Sequence, residues 1–206
     1  MTHFTVGIII PPTEDFITGH IETVMEPYDE NCDVKPYVSY SIEKARAEIG
    51  NDIYRLEKII QRRDPGYKLD KCEKLLAEIR VNTPEERYRE YIRLHTKFNA
   101  DGEPISTYNP ESKWDWWVLG GRWDGWITNA KTAGERLADN TATTEQAIER
   151  NVIPHAIVTP DGEWHEHGKM GWWGILLTEK ENWDSEAREI LTRYLCHNVV
   201  ILDAHI

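Results

Sequence analysis

Residues 109–127, NPESKWDWWVLGGRWDGWI, hold five tryptophans, two adjacent glycines and the charged set Lys113, Asp115, Arg122 and Asp124. No tryptophan precedes them in the chain. Alternation along a strand would put Trp114 and Trp116 on one side, and Lys113, Asp115 and Trp117 on the other. Gly120 and Gly121 permit positive φ and close backbone approach, and their N–H groups could form a concave anion site completed by Arg122 or Lys113. Indole faces stack on nucleobases, each stack contributing about 1–3 kcal/mol. The combination fits a small nucleotide-derived ligand, with Lys113 and Arg122 on its phosphates and Trp114, Trp116, Trp123 or Trp164 against its base. The competing reading is a small β core, although interleaved Lys, Asp and Arg are costly to bury. An aromatic cage for a cation is a third reading.

A second constellation is EWHEHG. His165 and His167 would share a strand face, while Glu166 points to the side of Trp164. His165 with Glu166 could serve as an acid/base pair and turn a nucleotide-type ligand over. A metal held by His165 and His167, with a third ligand from His3, Asp203 or His205, is a weaker alternative, because eight histidines in 206 residues make chance pairs common. No metal or other cofactor is expected. The third constellation is HFT near the start and DAH near the end. His3 and Thr5 share one strand face, as do Asp203 and His205, so adjacent strands could bring the four together. A His-x-Thr on a strand resembles half of the paired motif of 2H phosphoesterases, but the chain has no second His-x-Thr. Walker loops, a GxGxxG after a strand and GxSxG are absent.

The elements that must position these groups follow from periodicity. HFTVGIII reads as a buried strand ended by Pro11-Pro12, and NVVILDAHI as a closing strand. Ser41 is a helix N-cap for residues 41–63, where Ile42, Ala45, Ile49, Ile53, Leu56 and Ile60 make one stripe. A second helix runs from Leu69 to about Ile79. A third covers 83–98, with Thr83 as N-cap, Pro84 at the first helical position and Glu86 closing a capping box. The later strands fall at 114–119, 122–128, 155–159 and 163–167, the last two joined by a TPDGE hairpin. Residues 129–150 read as a loop with a short helix at 145–150, and 183–195 as an amphipathic helix. The expected fold is α+β: a mainly antiparallel sheet with the N- and C-terminal strands central, helices packed on it, and an α-helical insertion. Residues 1–206 are read as one domain with residues 41–98 inserted in it. The helical hairpin could pair with a copy of itself, so a homo-oligomer through the insertion is an expectation.

The formal net charge of −12 is unevenly spread. Residues 1–100 hold 15 Lys and Arg against 18 Asp and Glu, and residues 101–206 hold 9 against 18. That field repels a phosphate backbone, so no nucleic-acid polymer is expected as partner. One or two well-placed cations could still hold a small anion. An acidic face that mimics nucleic acid and inhibits a host protein is a further reading. Three dispersed cysteines, Cys32, Cys72 and Cys196, read as reduced thiols, and the first apolar run is too short to span a bilayer. A cytoplasmic protein with no membrane partner is expected.

The segments MTHFTV, PYDENCDVKPY, TYNPESKWDWWVLGGRWDGW, TPDGEWHEHGKMGWWG and VVILDAHI together resemble a family of uncharacterised proteins encoded by bacteriophages and prophages. Its motifs stand here as PYDEN, NPESKWDWWVLGGRW and PDGEWHEHGKMGW. The family often has Cys where Ala204 stands, and His167 is outside its pattern. The resemblance implies a small accessory phage product of the host cytoplasm. For such a product, sequestering a host immune signal nucleotide would be a counter-defence role.

Overall fold

The computed structural model describes residues 2–63, 66–132, 134–168 and 180–206. The chain divides into two compact units, Met1–Asp33 with Tyr108–Ile206, and Val34–Thr107.

The first unit is built on strand β1 (His3–Ile10) and the last strand, β8 (Asn198–His205). Seven of the eight residues in each are buried, because both faces of these strands are covered. They pair antiparallel over their whole length, from His3 opposite His205 to Ile10 opposite Asn198. On one side β1 pairs in parallel with β6 (Ala156–Val158), which pairs antiparallel with β7 (Trp164–Glu166). On the other side β8 pairs antiparallel with both β4 (Trp116–Leu119) and β5 (Thr141–Thr143). The sheet is therefore six-stranded and mixed, mainly antiparallel, with the terminal strands central, and the fold class is α+β.

Alternation sends side chains of the same strands into two cores. Phe4, Val6, Ile8, Ile10, Val200, Leu202 and Ala204 pack under helix α1 (Ile17–Met25) through Ile21, Val24 and Met25. Ile9, Ile157, Val199 and Ile201 form the second core, with Ala147 of α6 (Thr144–Glu149) and with Trp183, Ala187, Ile190 and Leu191 of α7 (Trp183–Arg193). Each such aliphatic side chain, fully buried, contributes about 1.5–3 kcal/mol.

The second unit contains helices α2 (Ile42–Arg62), α3 (Leu69–Val81) and α4 (Pro84–Leu94), with the short pair β2 (Tyr37–Val38) and β3 (Ile105–Ser106). The Ser41 side chain accepts the Lys44 N–H at the start of α2, and Thr83 with Glu86 forms the expected capping box on α4. Leu56, Cys72 and Leu76 make the small core between α2 and α3. Tyr40 stacks on Tyr91 at 4.2 Å, and burial together with its bond to Glu48 pushes the Tyr40 hydroxyl up to about 12.

Several elements differ from the sequence expectations. Residues 122–128 are not a strand: a 3-10 turn spans Gly121–Trp123, and the Trp126 and Asn129 N–H groups bond to the Trp123 and Gly125 carbonyls. Helix α1 and strand β5 have no expected counterpart. A four-residue helix, α5 (Arg136–Asp139), precedes β5. Helix α4 stops at Leu94, short of Phe98.

One ionisable contact ties α6 to the end of α7. The Glu145 carboxyl is held down to about 2, first by its own backbone N–H and then by that of Cys196, which donates to Oε1 at 2.8 Å. A depressed carboxylate stabilises the fold above its ordinary value of 4.5, and that contribution is lost as pH falls toward about 2. Glu145→Gln is expected to flatten the acid limb of stability between those values, read by urea unfolding at a series of pH values. An acid limb identical to wild type would show that the contact is not formed in solution.

Candidate functional site

The Trp-rich segment splits between the two faces of the sheet. Trp114 forms an isolated bridge with Asp29, is 8% exposed, and its indole N–H donates to the Met25 carbonyl at 3.2 Å. The chain bends at Asp115, and only from Trp116 does strand alternation hold. Trp117 and Leu119, opposite Ala204 and Leu202, lean on the α1 core. Trp116 and Val118, opposite His205 and Asp203, point the other way and are 40% and 38% exposed. Trp114 and Trp116 thus do not share a face, because the bend breaks the alternation that the sequence implied.

The two glycines serve the chain itself. Gly120 and Gly121 have φ of +64 and +51. A Cβ on Gly120 would stand 2.4 Å from the Asn140 amide, and one on Gly121 would stand 2.3 Å from the Asp203 carboxylate. The Gly120 N–H goes to the Ile201 carbonyl, and the Arg122 N–H donates to Asp203 Oδ2 at 2.9 Å. The anion that the turn holds is the protein's own Asp203, rather than a ligand phosphate.

Asp203 in turn fixes His3, whose Nδ1 lies 2.8 Å from Oδ1. Next to it, His205 Nδ1 lies 2.7 Å from Asp115 Oδ1. The two imidazole centroids are 5.1 Å apart and edge-on. Trp116 stacks on His205 at 5.0 Å, with an 11° angle between planes, and meets His3 edge-on at 5.2 Å. Asp203 and His205 are buried, with 3% and 4% of their side chains exposed, while His3 shows 13% and Asp115 35%. Among the described residues neither imidazole Nε2 has a hydrogen-bond partner. The structure therefore gathers His3, Asp203, His205, Asp115, Trp116 and the backbone of Arg122 at one end of one sheet face. Thr5 shares that face, and its Oγ1 accepts the His155 N–H.

The remaining sequence candidates lie elsewhere. Lys113 Nζ is 2.9 Å from Glu166 Oε1, whose other oxygen accepts the Trp164 indole N–H at 3.0 Å. Trp164 packs beside Tyr28 and Phe4 in the α1 core, so Lys113 and Trp164 are not brought to Arg122. Glu166 pairs with Ala156, on the α1 side of the sheet, and His165 pairs with Ile157, on the opposite side. Neighbouring residues of one strand point apart, so His165 and Glu166 do not converge on a common bond. His165 Nε2 is buried without a hydrogen bond; Glu163 Oε2, at 3.4 Å, is within ion-pair range but off hydrogen-bonding geometry. Burial, and secondarily the neighbouring His167, lowers the basicity of His155. Trp123 packs against the second core. Among the described residues, no group of three His, Cys, Asp or Glu is placed to hold a metal ion, and no helix is long and apolar enough to cross a membrane.

A cavity of about 750 Å³ opens on the α1 side, lined by Glu14, Glu22, Glu26 and Asp29 with Trp114 and Trp117. Among the described residues its lining contains no Lys or Arg. Such a surface repels phosphate.

The Asp115–His205 pair is the contact that sequence reasoning missed. Its signal was there in part: polar Asp203 and His205 interrupt a terminal strand that is otherwise apolar, and buried polar groups require partners. Comparison with protein-family models, curated proteins and solved structures finds no match.

Proposed function

We propose that the protein binds a small nucleotide-derived ligand at the sheet end formed by Trp116, Arg122, His3 and His205. The observation that carries this reading is Trp116. It is a large exposed indole held flat on a buried imidazole, so that its orientation is fixed before a ligand arrives. A pre-oriented aromatic face loses little entropy on stacking a base. Arg122 supplies the cation: its backbone is anchored on Asp203, its side chain is exposed, and it has no ion-pair partner among the described residues. A guanidinium in that state can take a phosphate bidentately. In a phage-encoded protein such a site would draw a host signal nucleotide out of circulation.

The test is retention of cyclic di-AMP, cyclic di-GMP, 3′,5′-cyclic AMP and ADP-ribose by the pure protein in equilibrium filtration. Wild type is expected to retain at least one of them. Arg122→Ala and Trp116→Ala are each expected to weaken that binding by tenfold or more, with melting temperatures unchanged. Unaltered affinity in both variants would place the ligand elsewhere.

A further inference from the structure

We propose that His3 and His205 form a general acid–base pair that cleaves a phosphodiester bond in the bound nucleotide, with Asp203 and Asp115 as their positioning residues. This inference rests on the binding reading above and adds turnover to it.

The geometry has three parts. Each imidazole is tied at Nδ1 to a carboxylate, at 2.8 Å for His3 and 2.7 Å for His205. A neutral imidazole whose Nδ1–H is given to a carboxylate presents the lone pair of Nε2, and a protonated one presents an Nε2–H. The pairs stand side by side, with ring centroids 5.1 Å apart, so a single phosphate can meet both rings. Two histidine–carboxylate pairs are also more than a strand end needs. Strands β1 and β8 are already joined through the His3–His205 backbone register, and burying Asp203 and His205 incurs a desolvation cost that apolar residues would avoid.

The neighbourhood selects the chemistry. Among the described residues the only side-chain hydrogen-bond partners of the two imidazoles are Asp203 and Asp115, and the Thr5 hydroxyl accepts the His155 N–H. A covalent intermediate on the protein is therefore not called for, and the nucleophile is water. His3, the more exposed ring, takes a proton from water as the water oxygen bonds to phosphorus. His205 lies behind Trp116 and edge-on to His3, and it is assigned the leaving oxygen of the ester. It donates its proton to that oxygen as the P–O ester bond breaks. The products are a phosphomonoester and an alcohol. The proton gained by His3 and the one lost by His205 balance, and exchange with solvent restores both rings. Arg122, whose own N–H in the Gly121–Trp123 turn grips Asp203, offsets charge on the phosphate.

The experiment uses the full chain with cyclic di-GMP, cyclic di-AMP and 3′,5′-cyclic AMP, and analyses bound and free fractions by chromatography. Wild type is expected to release a phosphomonoester product. His3→Gln and His205→Gln are each expected to lower turnover at least 100-fold, a loss far larger than their effect on the dissociation constant. Asp115→Asn, at a partly exposed position that the core does not depend on, is the control should either glutamine variant fail to fold. It is expected to lower kcat tenfold or more, with KM and melting temperature unchanged. Recovery of only intact nucleotide from wild type that binds it would overturn the catalytic inference and leave the binding reading standing. Equal loss of binding and turnover in the variants would also overturn it, since the imidazoles would then be ligand contacts alone. Failure of wild type to retain or convert any of the three would overturn the binding reading as well.

Discussion

Trp114→Ala is expected to cost about 3–5 kcal/mol of stability, and Trp116→Ala, two residues away, less than about 1 kcal/mol. The first side chain is buried in the core that contains Phe4, Ile21 and Met25 and donates its indole N–H to the Met25 carbonyl. Its removal leaves a cavity under α1 and an orphaned acceptor, two costs that add. The second is 40% exposed and loses mainly its stack on His205. Urea unfolding of the two variants measures the difference directly. The opposite effects on ligand retention are what separate core from wall: Trp116→Ala should abolish tight binding in a protein that still melts normally. A Trp116→Ala variant as unstable as Trp114→Ala would make both indoles core and remove the aromatic wall from the site.

Gly121→Ala is expected to cost about 3 kcal/mol or more and to disorganise the histidine pair. Positive φ at this residue, +51, costs an L side chain about 1–2 kcal/mol. The added Cβ would also fall 2.3 Å from Asp203 Oδ2 and 2.4 Å from Asp203 Cβ, the latter fixed to a central strand. The turn must therefore retreat. With it go the Arg122 N–H bond to Asp203 and the setting of the carboxylate that holds His3. Gly162→Ala is the matched control, since Gly162 has φ of +86 but open space around its Cα. That variant should show the backbone penalty alone. Comparing the two by chemical unfolding, together with imidazole nitrogen chemical shifts of His3, isolates the steric part. Equal losses at both glycines would show that the turn does not press on Asp203.

These two variants also give the answer to what residues 109–127 are for. The segment is neither wholly core nor wholly wall. Trp114 and Trp117 serve the α1 core, and the glycines make room for Asn140 and Asp203. Asp115 and Trp116 meet His205, and the Arg122 N–H meets Asp203.

Much of the architecture was legible in the residues because it depends on local chemistry. The Ser41 cap and the Thr83–Glu86 box follow from side chains that satisfy the first N–H groups of a helix, and they form as expected. The β6–β7 hairpin follows from Pro160 and Gly162, the latter at positive φ. Apolar runs at both termini marked two strands buried on both faces, and so a sheet with those strands central. Where local signals are absent the sequence was silent: the N-cap position before α1 is Phe16, which gives no side-chain cap, and β5 is three residues that pair with β8. Where signals compete they misled, since the alternation in RWDGWIT reads as a strand until two positive-φ glycines wind the chain into a turn.

The candidate site divides along the same line. Residue types alone put His3 with Thr5 on one strand face and Asp203 with His205 on another, and they singled out a Trp/Arg segment as a candidate site. Only the tertiary structure decided which of them meet, because that depends on the β4–β8 register, the bend at Asp115 and the glycine turn. A shift of one residue in that register would turn Trp116 into the α1 core and away from His205, since strand side chains alternate with a period of two.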